Sequence, residues 1–125
     1  MRIFIVENHP DTLKWIRLHL EISGHTIQTA GTVAETLKLF PRSNSEVLLS
    51  DIGLPDGTGW ELIEQLRASN TFLAIAMSGF GLKADTTRSR AAGFHHHLIK
   101  PFKPAELDWV LDKVVRERES SPSSD

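Results

Sequence analysis

Short apolar runs alternate along this chain with longer stretches in which apolar residues recur every three or four positions. The runs are Ile3–Val6, Thr26–Ala30, Val47–Ser50, Phe72–Met77 and Phe94–Ile99, all of strand length. The stretches between and after them predict helices over about Asp11–Ile22, Val33–Phe40, Gly59–Ala68, Lys83–Ala92 and Pro104–Arg118. Several helix starts are marked chemically. Thr32 with Glu35, and Thr58 with Glu61, fit the capping box, in which a hydroxyl and a carboxylate three residues on satisfy free backbone N–H groups. Pro104 suits a first helical position, where its missing N–H had no partner anyway. Leu107, Val110, Leu111, Val114 and Val115 then lay an apolar stripe along the last helix. The fourth helix has mainly Ala84, Ala91 and Ala92 to bury, which predicts loose attachment.

Strands alternating with helices imply right-handed βαβ units and a parallel sheet covered on both faces. The first, third and fourth runs are nearly continuously apolar, as strands buried on two sides require. The second, Thr-Ile-Gln-Thr-Ala, and the fifth, Phe-His-His-His-Leu-Ile, are mixed and belong at sheet edges. The expected fold is therefore α/β, a (βα)5 doubly wound parallel sheet of flavodoxin-like type with strand order 2-1-3-4-5. It should occupy residues 1–118, leaving the Ser/Pro-rich 119–125 as a disordered tail or linker stub.

Composition narrows this further. A length of 125 residues suits one domain. The absence of cysteine removes disulfides, thiolate metal sites and cysteine nucleophiles together. A formal charge of −2 speaks weakly against direct nucleic-acid binding, which wants a basic face. The apolar run at the start is too short for a signal peptide or a membrane span, so a cytoplasmic chain without membrane contact is expected.

In such sheets, function lies outside the carboxyl ends of the strands, where strand order reverses. The predicted strand ends deliver Glu7 and Asn8, Asp51, Ser78 and Lys100 to that edge. Two neighbouring carboxylates raise a pKa or recruit a cation, and a set of oxygen donors selects a hard one such as Mg²⁺. Asp51, nearest the centre, is the candidate covalent acceptor, with Lys100 and Ser78 offering a cation and a donor to phosphoryl oxygens. Phosphoryl transfer needs mainly positioning and charge neutralisation, which so small a set supplies.

These residues resemble the receiver domain of two-component response regulators (CheY-like) over about residues 1–118. The resemblance rests on Leu49-Ser-Asp51, Leu54-Pro-Asp-Gly-Thr-Gly59, Met77-Ser-Gly79 and Ile99-Lys-Pro-Phe102, at the family's spacing. It implies Asp51 as phosphoacceptor, Lys100 as its cation and Ser78 as the switch hydroxyl. It implies Mg²⁺ held by Glu7, Asn8, Asp51 and the Gly53 carbonyl, and a cis Lys100–Pro101 bond. The implied partners are a histidine kinase, in the same polypeptide if the chain is cut from a hybrid kinase, or a phosphotransfer protein, and a downstream protein reading the face of helix 4, strand 5 and helix 5. Such a domain is not an enzyme, although it assists its own phosphorylation and dephosphorylation, and it is a monomer or weak homodimer. Leu82 and Arg88 are candidates for the signalling face, and Phe80 for a shield against attacking water.

Two residues depart from the family pattern. Asn8 stands where a second acid is usual, so one negative charge is lost near the cation, ~4 kcal/mol of Coulomb energy at 4 Å before hydration is counted. His97 stands where Tyr or Phe is the rotameric switch; it reads equally as an exposed edge-strand histidine. Strand alternation prevents His95, His96 and His97 from chelating one ion. His9, His19 and His25 read as surface residues, and Trp15, Trp60 and Trp109 as packing residues. A haloacid-dehalogenase-like phosphatase would need an Asp at Gly53, and a flavodoxin would need a hydroxyl-rich loop where Glu7-Asn-His-Pro10 stands. The remaining alternative is a degenerate receiver acting as a phosphorylation-independent interaction module.

Overall fold

The computed structural model describes residues 1–68, 71–79 and 83–120. Its elements are β1 (Arg2–Val6), α1 (Pro10–Ile22), β2 (Thr26–Ala30), α2 (Val33–Leu39), β3 (Val47–Asp51), the hairpin β4 (Gly53–Leu54) and β5 (Gly57–Thr58), α3 (Gly59–Arg67), β6 (Leu73–Ser78), α4 (Lys83–Ala92), β7 (His96–Ile99) and α5 (Pro104–Ser120). The long strands form one parallel sheet in the order β2-β1-β3-β6-β7. With the hairpin set aside, this is the expected 2-1-3-4-5 arrangement.

Alternation along the inner strands builds two cores. Ile3, Ile5, Val47, Leu49, Ile75 and Met77 face α1 and α5, where Ile16, Leu20, Leu107 and Val110 meet them. Phe4, Val6, Leu48, Ala74 and Ala76 face the opposite layer, against Val33 of α2 and Leu62, Ile63 and Leu66 of α3. At ~1.5–3 kcal/mol for each large apolar side chain buried, these layers hold the sheet rigid. The edge strands β2 and β7 are only partly covered, as their mixed sequences require.

Both capping boxes form: Thr32 accepts from the Glu35 N–H at 3.1 Å and Thr58 from the Glu61 N–H at 3.2 Å. Asp56 adds a cap that no local motif announces, accepting from the Val33 and Ala34 N–H groups at 2.7 and 3.0 Å. The hairpin is thereby fastened to the start of α2. Helix α5 runs to Ser120, two residues beyond its predicted end.

Burial on α4 differs from expectation. Ala91 is exposed and Ala92 half-buried, whereas Ser89 is buried at 1% exposure. Among the described side chains of α4 the fully buried one is thus a hydroxyl, with Ala92 packing partly against the core. Trp109 also departs from the reading as a packing residue: it is 55% exposed on α5, meeting His96 edge-on with the Lys113 ammonium 5.1 Å from its ring centre. No helix among the described residues is long and apolar enough to cross a membrane.

Candidate functional site

The carboxyl edge of the sheet gathers the predicted residues by register. Val6 pairs with Ser50 and Asp51 with Met77, so Glu7, just after β1, and Asp51, ending β3, stand at adjacent strand ends. Lys100 follows β7, its N–H donating to the Ser78 carbonyl at 2.7 Å, and its bond to Pro101 is cis as the resemblance implies. From there the Lys100 ammonium donates to Glu7 Oε1 and, at 3.1 Å, to Asp51 Oδ2. Gly59 allows the start of α3 to close onto this edge. A Cβ there would lie 2.5 Å from the Asp51 carbonyl oxygen.

One ammonium serves two carboxylates, leaving an excess negative charge. Burial, with the Glu7 carboxylate beside it, pushes Asp51 up to about 6 from 3.8, and Lys100 offsets only part of this. Burial also pushes Glu7 upward, but Lys100, the His9 N–H at 3.1 Å and Asp51 together hold it below its ordinary value. Lys100 is raised, because its two carboxylates outweigh its desolvation. Asp51 is therefore the group of this cluster nearest to titrating at neutral pH.

Asn8 and Gly53 lie exposed at the same edge, the Asn8 amide oxygen beside Gly31. Among the described residues no group of three His, Asp or Glu is placed to hold a metal, since the acidic set is the pair Glu7 and Asp51. That pair, the Asn8 amide and the Gly53 carbonyl are all oxygen donors with uncompensated negative charge, which fits a hard divalent cation bound more weakly than by three carboxylates. Phe80 and Leu82 lie outside the described residues.

His96 and His97 point to opposite faces as strand geometry demands, while His95 precedes β7 and bonds the neighbouring strand. His95 Nδ1 accepts from the Ala74 N–H at 3.1 Å, and His96 turns to Trp109 on α5. His97 turns the other way and is no bare edge residue. Its Nε2 meets Ser78 Oγ at 2.8 Å and its Nδ1 meets Ser89 Oγ at 2.9 Å. Trp60 Nε1–H donates to the same Ser89 oxygen at 2.9 Å, with the exposed Arg88 guanidinium 4.1 Å from the centre of the indole ring. Nothing in the sequence marks Ser89, since a serine in the middle of a helix carries no signal of its partners, and Trp60 reads there as a packing residue. His19 and His25 are also more than surface residues, the first bonded to Asp108 at 2.8 Å, the second to the N-terminal amine at 3.1 Å.

A five-stranded parallel sheet carrying a lysine-bridged carboxylate pair at its carboxyl edge defines a receiver-type module. The family model of the response regulator receiver domain matches residues 3–112, and the chain belongs to that family. It is 34% identical over 110 residues to an uncharacterized 14.6 kDa protein in the sodA1 3′ region of Leptolyngbya boryana, covering 86% of this chain and 84% of that one. It is 28% identical over 114 residues to the transcriptional regulatory protein KdpE of Mycobacterium tuberculosis, covering 91% of this chain and 50% of KdpE. The chain thus spans about half the length of such regulators. The receiver domain of the sensor histidine kinase PA1611 of Pseudomonas aeruginosa, with magnesium in its active-site cleft, superposes with a TM-score of 0.83 at 25% identity, covering 92% and 97% of the two chains.

Proposed function

We propose that Asp51 accepts a phosphoryl group from the phosphohistidine of a histidine kinase or phosphotransfer protein. The observation that carries this reading is the Lys100 ammonium bridging Glu7 and Asp51 at the sheet's carboxyl edge. An ionised Asp51 oxygen attacks phosphorus, the P–N bond of the donor breaks, and its electron pair stays on the imidazole nitrogen. Lys100 then pairs with the transferred group, and the Ser78 hydroxyl donates to one of its oxygens. Glu7, Asn8, Asp51 and the Gly53 carbonyl would hold Mg²⁺. When bound, that ion neutralises the charge that gathers on the phosphoryl oxygens.

Phosphorylation replaces one negative charge by about two and adds acceptor oxygens. Ser78 and Lys100 are drawn toward them, and both adjoin the face formed by α4, β7 and α5. A downstream protein reads that face. Among the described residues of α4 no apolar side chain is fully buried and the buried anchor is a hydroxyl, so little apolar burial resists its rearrangement. The domain acts in the cytoplasm as a phosphoacceptor, with no external substrate of its own.

Asn8 favours a second reading, a phosphorylation-independent interaction module, because it removes a carboxylate from the cation site. Incubation with phosphoramidate, with and without Mg²⁺, separates the two. One Mg²⁺-dependent phosphoryl adduct, absent from Asp51→Ala, supports phosphoacceptance. No adduct at any Mg²⁺ concentration supports the module.

A further inference from the structure

The Ser78–His97 contact ends a chain of hydrogen bonds running Trp60 Nε1 to Ser89 Oγ, Ser89 Oγ to His97 Nδ1, and His97 Nε2 to Ser78 Oγ, at 2.9, 2.9 and 2.8 Å. It links α3, α4, β7 and the end of β6. Counting protons gives it a direction. The indole N–H only donates, so it occupies one lone pair of Ser89 Oγ. Ser89 is 1% exposed, and among the described residues its oxygen has only Trp60 and His97 as partners. If His97 Nδ1 also carried a proton toward Ser89, the Ser89 proton would be buried without an acceptor, which native interiors avoid. The Ser89 hydroxyl therefore donates to Nδ1, and a neutral His97 carries its proton on Nε2. That N–H is donated to Ser78 Oγ, so the proton of Ser78 itself is directed elsewhere.

We propose that Trp60 and Ser89 are positioning residues for Ser78, holding His97 in the Nε2–H tautomer so that Ser78 acts as a donor toward a phosphoryl oxygen on Asp51. This rests on the phosphoacceptor reading of Asp51. The direction matters chemically. A serine that had given its proton to His97 would turn a lone pair toward an anionic oxygen and repel it. The bare contact distances are the same for both directions; the indole at the far end selects between them.

Two measurements on the full chain test the relay. In ¹⁵N-detected spectra of the unmodified chain, with resonances assigned through His97→Gln, His97 should show a protonated Nε2 and a bare Nδ1. Trp60→Phe and Ser89→Ala should erode that preference and slow Mg²⁺-dependent phosphorylation by phosphoramidate about two- to tenfold, the range one oriented hydrogen bond supplies. Ser89→Thr, which keeps the hydroxyl, should restore both. Thermal melting identifies any variant that fails to fold, and Trp60→Phe leaves α4 itself unaltered. A protonated Nδ1 in the parent chain, or folded variants with the parent rate, would overturn the relay. Should the parent chain accept no phosphoryl group at all, the Asp51 reading fails and the positioning role with it. The tautomer, read without phosphodonor, tells that failure apart from a wrongly directed relay.

Discussion

Replacing Asp51 by Asn tests the electrostatics of the site without any phosphodonor. The Asp51 side chain is 15% exposed, and its carboxyl is pushed up to about 6 from 3.8 by burial and by Glu7. In the interval between those values the folded chain binds more protons than the unfolded one. Stability therefore falls as pH rises through about 4 to 6, and ionised Asp51 is a destabilising group above that interval. Rather more than two units at ~1.36 kcal/mol each give ~3 kcal/mol as an upper bound. That bound already includes the attraction of Lys100, and because the Asn amide copies the protonated acid's hydrogen bonds only in part, a gain of ~2 kcal/mol at pH 8 is expected. With an unfolding entropy of ~2 cal/mol/K per residue, that raises the melting temperature by ~8 °C. The advantage should shrink toward zero near pH 4, where Asp51 is protonated in the parent chain. Differential scanning calorimetry of both chains from pH 4 to 8 measures this. Equal melting temperatures at pH 8, or a gain that ignores pH, would refute the reasoning.

Further outcomes follow from the same geometry. Asn8→Asp should bind Mg²⁺ more tightly in a calorimetric titration and melt lower without it, because a third carboxylate joins two that share one ammonium; equal Mg²⁺ affinity for both chains contradicts this. Gly59→Ala should cost ~1–3 kcal/mol in urea denaturation, since a Cβ 2.5 Å from the Asp51 carbonyl forces the backbone apart. Asp56→Ala should lower the melting temperature at neutral pH by freeing the first N–H groups of α2. Because those N–H groups hold Asp56 below its ordinary value, the difference between the two chains should fade as pH drops through the carboxylate range, and a difference constant with pH would contradict the cap.

The sheet order was legible because burial writes itself into sequence. Leu48 and Leu49, adjacent and both buried, identify a strand covered on two faces, while Thr26 and Gln28, both exposed, mark β2 as an edge. Glu7, Asp51 and Lys100 were legible because strand ends fix where they go, and the structure brings them into contact. What local patterns could not show were bonds between distant elements. Asp56 reads as a turn residue, yet it caps a helix 23 positions away. Ser89 reads as a weak point in a polar helix, yet it is that helix's buried anchor, joined to Trp60 across 29 positions. Trp109 shows the converse failure: a large apolar residue in a helical pattern reads as a packing residue, but it sits one position off the stripe that Leu107, Val110, Leu111 and Val114 bury.

The central claim is that the Asp51 carboxylate oxygen is where a phosphoryl group is received. Beryllofluoride mimics that group without turnover, so a crystal structure of the chain grown with beryllofluoride and Mg²⁺ asks the question directly. The account predicts a BeF₃ moiety on an Asp51 oxygen, with the Lys100 ammonium and the Ser78 hydroxyl each on a fluorine. An Asp51 left bare and still bonded to Lys100 in fully saturated crystals would contradict it.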